Sequence, residues 1–172
     1  LVIIALATSP IWRRLPRFGA AVPRRSLAIF ALVISGLIYG QLALGATMRH
    51  QHRDLAILDF PLAYGQIVPA TDSATVGRIN QARDAQALSD VSAGQIWLQM
   101  AHRLLAALIG LAIAVFWLLI KREKTVISFL RNLTDLWLGL VILQIALGAW
   151  TIWSNKAADI ATAHVAVGAI TF

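Results

Sequence analysis

The chain has 172 residues, of which 59% are hydrophobic and only 13% are charged, and its mean hydropathy is +0.73. This composition is too apolar for a water-soluble domain and is typical of a membrane protein. The formal net charge of +7 comes without an aromatic-basic surface, so nucleic-acid binding is not expected. The lack of cysteine excludes disulfide bonds and thiolate metal sites within this stretch.

The amino-terminal stretch combines a short apolar run with several arginines. Residues 1–7 resemble the end of a preceding transmembrane helix, and residues 8–25 are expected to form a basic cytoplasmic loop. The chain has no starting methionine, and its last apolar run, from about Ile160, stops at Phe172, short of the ~20 residues that a crossing needs. We therefore expect a fragment of a longer protein.

Three further apolar runs are long enough to cross a bilayer. They occur at Leu27 to Met48, Ile96 to Ile120 and Leu133 to Trp153, and each reaches the ~20 residues that a helix needs for a core of roughly 30 Å. With the truncated run near the end, they predict an all-α transmembrane fold. We expect residues 26–172 to form an antiparallel four-helix bundle with three complete spans and a truncated fourth.

Charge predicts the orientation of these spans. Basic residues precede the first span and follow the second, so the positive-inside rule places both groups in the cytoplasm and the loop 49–94 outside. Residues 49–69 are expected to form a turn-rich segment against the membrane surface. The stretch after it is either an amphipathic helix capped by Ser73 or a solvated spacer. The predicted apolar face of that helix comprises Val76, Ile79, Ala82 and Leu88.

A repeated phrase organises the spans into pairs. QLALGA at Gln41 to Ala46 and QIALGA at Gln144 to Ala149 differ in one residue, and each precedes an Ala-His pair, which ends at His102 and His164 respectively. The repeat predicts two similar helical hairpins, each with a phrase-bearing helix followed by a histidine-bearing helix. The two glutamines are expected to hydrogen-bond across helices.

Both histidines lie inside apolar segments at similar depths. Polar side chains in hydrocarbon are costly and usually serve a pathway or a ligand inside the bundle. Imidazoles from facing helices suit the two axial positions of a heme iron, and the small residues Ala106, Gly110 and Gly168 leave room for a flat macrocycle. The alternative is a pair of helix-helix hydrogen bonds. Zinc is less plausible because a closed site needs four ligands.

Other polar residues and small residues provide weaker candidates. Arg103 either snorkels to the interface or pairs with an anionic group such as a heme propionate. Gly36 and Gly40 form a G-x-x-x-G pair that favours close helix packing. Asp135 is expected to pair with Arg131, one turn earlier. A cluster at the outer end of the first span is either a propionate clamp or solvent-exposed, and it comprises Arg49, His50, His52 and Arg53.

In this order, the motifs LGATMRHQHRDLAILDFPLAYG, IWLQMAHRLLA, LQIALGAWTIW and ATAHVAVGA resemble the second half of heme A synthase, a membrane enzyme that converts heme O to heme A for terminal oxidases. The resemblance begins near Ser26. It implies half of an eight-helix, pseudo-duplicated protein, in which the amino-terminal histidine pair holds the heme substrate and the carboxy-terminal pair holds a heme b cofactor. By motif, His102 and His164 match the cofactor pair, as axial ligands of the heme iron.

The resemblance also bears on other residues. Gln99 stands three residues before His102, where the substrate half of the family has a glutamate implicated in catalysis, and this match supports the assignment to the cofactor half. Gln99, Arg49, His50 and Arg103 are expected to contribute to heme b binding. Many members carry two loop cysteines, and the corresponding positions here are Ile57 and Ala63. A thiol-dependent step must then be absent, unnecessary or supplied elsewhere.

The leading hypothesis is an oxidoreductase whose full-length parent oxidises the C8 methyl group of heme O to a formyl group, whereas this fragment alone is inactive. The alternatives are a non-catalytic membrane b-type cytochrome that passes electrons and a heme-binding assembly or transport protein. The expected partners are heme O, mainly through the other half, membrane lipid, an electron donor, and heme O synthase or oxidase assembly factors. The expected location is the bacterial inner (plasma) membrane.

Overall fold

The computed structural model describes residues 25–50, 55–124 and 126–171. The five helices in these ranges are α1 (Arg25–His50), α2 (Ser73–Asp84), α3 (Ala93–Arg122), α4 (Ser128–Trp153) and α5 (Ala158–Thr171). These ranges hold no β structure beyond one isolated bridge between Ala63 and Gln66. The all-α prediction is confirmed for them. The predicted helix end at 1–7 and nearly all of the basic loop at 8–25 lie outside the described residues.

Helices α1, α3 and α4 are long and apolar enough to cross a membrane. Their 26, 30 and 26 residues correspond to about 39, 45 and 39 Å of helix, more than a hydrocarbon core of about 30 Å. Their outward faces carry exposed apolar side chains, such as Leu32 at 72% and Leu111 at 64% exposure. Lipid can cover such faces and water cannot do so without cost, so the three predicted spans are confirmed. The protein is an integral membrane protein.

Local sequence determines where α3 begins and ends. Ser92 and Gln95 form a capping box, in which the Ser92 hydroxyl accepts from the Gln95 backbone N–H and the Gln95 side chain accepts from the Ser92 backbone N–H. At the other end, Lys121 and Arg122 occupy the last turn, where positive charge complements the helix dipole. The helix is therefore polar at both ends and apolar between them.

The long helices pack in chain order, with α1 against α3, α3 against α4, and α4 against α5. The main core lies between α1, α3 and α4, where Ile34 is 0% exposed and Ile113 is 1% exposed. Phe116 of α3 makes edge-to-face ring contacts with Phe30 of α1 and with Trp137 of α4, at centroid distances of 5.9 and 5.8 Å. These rings join all three spanning helices.

Residues 55–92, here called the connecting segment, join α1 to α3 and have a small core of their own. Ile57, Ala63 and Val91 from the segment pack with Ile96 and Met100 of α3. The segment therefore rests on the first turns of α3 and is not a solvated spacer.

Helix α2 forms within the connecting segment, as the amphipathic pattern predicts. Val76 and Ile79 pack against the segment's core. The predicted cap is wrong by one residue, because the side chain of Asp72, and not of Ser73, accepts the Thr75 backbone N–H at 3.0 Å. The other two predicted face residues differ: Ala82 is exposed and Leu88 lies beyond the end of the helix.

Two polar side chains fix the ends of the connecting segment. Arg83 is only 3% exposed, and its guanidinium donates to the carbonyl oxygens of Ser89 at 2.7 Å and Leu55 at 3.0 Å. Asn80 accepts the Val91 backbone N–H at 2.9 Å and donates to the Val91 carbonyl oxygen at 3.0 Å. Buried backbone groups outside regular structure need such partners, and these two residues supply them.

A polar contact joins α3 to α4 at the opposite end of the helices. Asp135 of α4 accepts hydrogen bonds from the Trp117 indole at 2.6 Å and from the Lys121 ammonium at 2.8 Å, both on α3. The predicted pair of Asp135 with Arg131 is wrong, because Arg131 donates to the Glu123 carbonyl oxygen at 2.8 Å. The carboxylate therefore connects two helices instead of two turns of one helix.

The G-x-x-x-G pair of α1 does not form a close helix contact among the described residues. A β-carbon placed at Gly36 or Gly40 would meet nothing within 4 Å. The prediction of close packing there is wrong for the part of the chain that the structure describes. The close approach of α1 occurs instead at Gly45, where a β-carbon would lie 3.3 Å from a side chain of α3.

We expect Ile113→Ala to destabilise the helix assembly by about 2 kcal/mol or more, because it leaves a cavity between three helices. The matched control is Leu111→Ala on the same helix, where lipid or detergent can fill the space that the side chain leaves. The measurement is reversible unfolding of the detergent-solubilised protein. Equal losses in the two variants would contradict the packing described here.

Candidate functional site

The histidine of α3 is held by a glutamine and a glycine of α1. Gln41 Nε2 lies 3.2 Å from His102 Nε2 and donates to the His102 carbonyl oxygen at 3.0 Å. One turn later, Gly45 leaves space for the ring, since a β-carbon there would lie 3.3 Å from His102 Cε1. The first repeated phrase is therefore the surface against which His102 packs.

The second phrase holds the second histidine in the same way. Gln144 Nε2 lies 3.5 Å from His164 Nε2, and a β-carbon at Gly148 would lie 3.1 Å from His164 Cε1. In α1 and α4 alike the glutamine is the seventeenth residue, counting 41 from 25 and 144 from 128. The predicted hydrogen bonds of Gln41 and Gln144 across helices are confirmed.

The two histidine-bearing pairs of helices adjoin each other, because α3 packs against α4. A β-carbon at Gly110 of α3 would lie 3.2 Å from Ile145 Cδ1 of α4. A β-carbon at Gly168 of α5 would lie 2.8 Å from Gln144 Nε2 and 3.6 Å from Leu42 Cδ2 of α1. The space predicted beside these glycines is therefore filled here by neighbouring side chains.

The histidine sites contain most of the unpaired buried polar atoms in the described residues. Four of the seven such side-chain atoms belong to them, namely Gln41 Oε1, His102 Nδ1, Gln144 Oε1 and His164 Nδ1. Both sites thus leave the same ring nitrogen and the same amide oxygen without a partner. Buried polar atoms normally have a hydrogen-bond partner. When the same atoms lack a partner at two sites within apolar helices, the arrangement is the one expected of a ligand site.

The donor set limits which metal the site suits. Among the residues that the structure describes, no group of three or more His, Cys, Asp or Glu side chains could hold a metal ion. A closed zinc site needs four ligands, whereas heme iron needs only two axial ligands from the protein. Two imidazoles with unpaired nitrogens, one in each of two adjoining helix pairs, therefore fit heme iron and do not fit zinc.

Arg103 binds the connecting segment next to the first histidine. Its guanidinium donates to the carbonyl oxygens of Asp59 at 2.8 Å and Leu62 at 2.9 Å, and it lies 5.6 Å from the centroid of the Phe60 ring. Phe60 in turn makes an edge-to-face contact with Trp153 at the end of α4. Arg103 therefore fixes a turn of the connecting segment across α3 and α4, while its Nε is buried without a partner.

Gln99 is buried beneath the same segment. Its Oε1 accepts the Ile57 backbone N–H at 2.9 Å, and its Nε2 donates to the Ile57 carbonyl oxygen at 3.0 Å. Ile57 and Ala63 are 0% and 1% exposed and belong to the segment's core. Apolar packing and the Gln99 amide thus hold the segment at Ile57 and Ala63. The role of Gln99 in heme b binding stays a prediction.

The remaining predicted site residues lie beyond the position on α1 that contacts His102. Arg49 and His50 are exposed at the end of α1, about one turn beyond Gly45. His52 and Arg53 lie outside the described residues. The predicted contribution of Arg49 and His50 to heme b binding stays a prediction.

Sequence reasoning identified the two glutamines only as helix-packing residues and missed their contact with the histidines. The available signal was the repeat itself. Glutamine and glycine recur four residues apart, which places them on one helix face, and each phrase precedes a histidine. The structure shows that this face is the one each imidazole contacts.

The fold and the site define a helical membrane protein with two adjoining histidine-bearing helix pairs. The family model of COX15-CtaA, described as cytochrome oxidase assembly protein, matches residues 1–172. The chain belongs to this family.

Two curated relatives are similar to the chain. A protein of Caulobacter vibrioides named heme A synthase is 25% identical over 169 residues, which are 98% of this chain and 46% of that protein. A heme A synthase of Staphylococcus haemolyticus is 27% identical over 155 residues, which are 87% of this chain and 42% of that protein. The chain thus spans less than half the length of these relatives. No solved structure matches the chain.

Alanine substitutions at two glycines of α4 should have different effects. At Gly139, where a β-carbon meets nothing within 4 Å, alanine should stabilise the helix by about 0.5–1 kcal/mol. At Gly148 the new methyl group would press on His164, so this gain should be absent or reversed. Unfolding of the purified variants in mixed micelles measures both. A gain at Gly148 equal to that at Gly139 would contradict the contact with the imidazole.

Gln99→Leu should loosen the connecting segment, because it leaves the buried N–H and carbonyl of Ile57 without partners, at a cost of about 1–3 kcal/mol for each group. We expect faster hydrogen exchange of the Ile57 amide and faster proteolysis of the segment. Gln81→Leu is the matched control, because Gln81 is an exposed glutamine of α2, and it should leave both rates unchanged. Unchanged exchange in Gln99→Leu would show that the amide does not hold the segment.

Proposed function

We propose that the chain forms the heme b-binding half of a heme A synthase, with His102 and His164 as the axial ligands of the heme iron. One observation carries this proposal: the imidazoles of α3 and α5 are each packed on a glutamine and a glycine of a phrase-bearing helix, and both have the same unpaired ring nitrogen. Family membership and the two relatives named heme A synthase support it.

The proposed architecture is an antiparallel four-helix bundle of α1, α3, α4 and α5 that forms one half of an eight-helix, pseudo-duplicated protein. The equal positions of the glutamines in α1 and α4 support a duplication within this half. The length of the relatives, more than twice the matched region, is consistent with a second bundle of similar size.

The proposed reaction is oxidation of the C8 methyl group of heme O to a formyl group, giving heme A for terminal oxidases. A heme b in this half supplies one-electron chemistry. The chain's own residues bind it, orient its two axial ligands and exclude water: the imidazoles lie among apolar helices, and Arg103 and Gln99 fasten the connecting segment over the adjacent ends of α3 and α4. Among the described residues, none of the contacts given above for His102 and His164 is made by a carboxylate. This suits an electron-handling role.

Arg49, His50, Arg103 and Gln99 complete the proposed heme b environment. Cationic side chains near the end of α1 and at Arg103 are suited to the heme propionates, because guanidinium groups bind carboxylates with charge-assisted hydrogen bonds. Arg103 is half-buried and has an unpaired Nε beside its two bonds to the connecting segment. Gln99 contributes indirectly, because its two hydrogen bonds to the Ile57 backbone hold the connecting segment in place.

The protein is proposed to lie in a bacterial inner membrane with the connecting segment on the extracytoplasmic side. Lys121 and Arg122 at the opposite end of α3 support this orientation, because basic residues favour the cytoplasmic side. The proposed partners are heme O, bound mainly by the remainder of the enzyme, lipid, an electron donor, and heme O synthase or oxidase assembly factors.

The ligand assignment predicts that His102→Ala and His164→Ala each abolish the low-spin heme b signal, because iron loses one of its two axial ligands. The measurement is a reduced-minus-oxidised spectrum of membranes that contain the chain. Gln81→Ala, at an exposed position of α2 outside the proposed heme environment, is the control and should keep the low-spin signal. A low-spin spectrum that survives in both ligand variants would overturn the assignment.

The activity is tested separately with the full gene product in cells that supply heme O. Extracted hemes should include heme A, and His102→Ala should remove it. A membrane b-type cytochrome would give the heme b spectrum without any heme A, which would contradict the enzymatic proposal and leave the ligand assignment intact.

A further inference from the structure

The two histidine sites share a feature that heme ligation alone does not explain. In each site a glutamine amide from the preceding phrase-bearing helix contacts the imidazole Nε2, at 3.2 Å for Gln41 with His102 and 3.5 Å for Gln144 with His164. The amide oxygen of each glutamine and the Nδ1 of each ring remain buried and unpaired. The same atoms are paired in both sites and the same atoms are unpaired in both. The two sites nevertheless differ in the length of chain that separates the glutamine from the histidine.

The placement of these amides is costly and must be compensated. A glutamine in the hydrocarbon region loses its hydrogen bonds to water, and the membrane offers no replacement. Packing holds both glutamines in place. Gln41 also donates to the His102 carbonyl oxygen at 3.0 Å, and Gln144 Nε2 lies where a β-carbon at Gly168 would be only 2.8 Å away. An apolar residue at either position would pack without leaving an amide oxygen unpaired.

We propose that Gln41 and Gln144 are positioning residues for the two heme-binding imidazoles, an inference that rests on the proposed function. Each imidazole can give only one ring nitrogen to iron. The other nitrogen then carries a proton and needs an acceptor, and the nearest unpaired acceptor in each site is the oxygen of the glutamine amide. Rotation of the Gln144 amide brings its oxygen onto the ring N–H, and at Gln41 the same rotation exchanges the bond to the His102 carbonyl oxygen for a bond to the ring N–H.

Such a bond would act on the iron through the imidazole. A hydrogen-bond acceptor on the second ring nitrogen fixes the tautomer and the orientation of the ring and makes the ligating nitrogen more basic. A neutral amide does this without placing a charge in hydrocarbon, and the glycine one turn later leaves the ring free to seat against the helix. The Q-x-x-x-G spacing of the repeat is therefore a ligand-orienting element present once for each histidine.

The experiment compares Gln41→Leu and Gln144→Leu with the unmodified chain, each loaded with hemin in detergent micelles. We expect the affinity for heme to fall about 10- to 100-fold, as is typical when such a partner is lost. The midpoint potential should become more positive, because a less basic ligand stabilises ferric iron less. The g values of the ferric low-spin electron paramagnetic resonance signal should shift, because the ring planes are no longer fixed.

Two further variants separate positioning from general stability. Thr47→Val lies on the same helix as Gln41 and removes a hydroxyl bonded only to the Ala43 carbonyl oxygen, so it should leave potential, affinity and g values unchanged. Gln41→Glu keeps an acceptor oxygen of the same reach, and burial favours its neutral, protonated form, so it should retain the heme affinity that leucine loses. If the leucine variant does not accumulate, the Gln41→Glu variant still tests the proposal.

The outcomes distinguish this inference from the proposed function. If the unmodified chain gives no low-spin heme signal, the proposed function fails. If it gives that signal and the leucine variants keep the potential, the affinity and the g values, the glutamines do not position the ligands. A glutamate variant as weak as the leucine variant would likewise contradict an acceptor role.

Discussion

The structure depends on one constraint, which is that an imidazole inside a membrane needs a polar partner from the protein. Water is absent there, so each histidine must be matched by a side chain on a neighbouring helix at the same depth. Gln41 and Gln144 meet this requirement, and a glycine one turn later lets the helices come close enough. The pairing of α1 with α3 and of α4 with α5 follows from it.

The spans could be predicted from the sequence, because they depend on a local property of the chain. Runs of about 20 apolar residues predict spans directly. The partners of individual side chains could not be predicted. Asp135 has a basic residue one turn away on its own helix, yet it binds Trp117 and Lys121, since helix packing brings them closer.

The connecting segment shows a second limit of sequence reasoning. Its composition is polar and rich in turn residues, which is compatible with a loose loop, but the structure has a small apolar core and backbone groups bound by Asn80, Arg83, Gln99 and Arg103. These contacts join residues that are distant in sequence, so no local pattern indicates them. The same long-range bonds explain how a stretch without cysteines keeps a defined shape over the histidines.

The glycine contact between α3 and α4 has a consequence for the proposed heme site. Each histidine belongs to its own helix pair, and the two pairs meet where Gly110 faces Ile145, the residue next to Gln144. The gap between the two imidazoles is therefore governed by how closely these two helices approach, at a position that touches neither ring. Under the proposed heme b ligation, a change in the bulk of one remote side chain would therefore retune the fit of the porphyrin and leave both proposed ligands untouched.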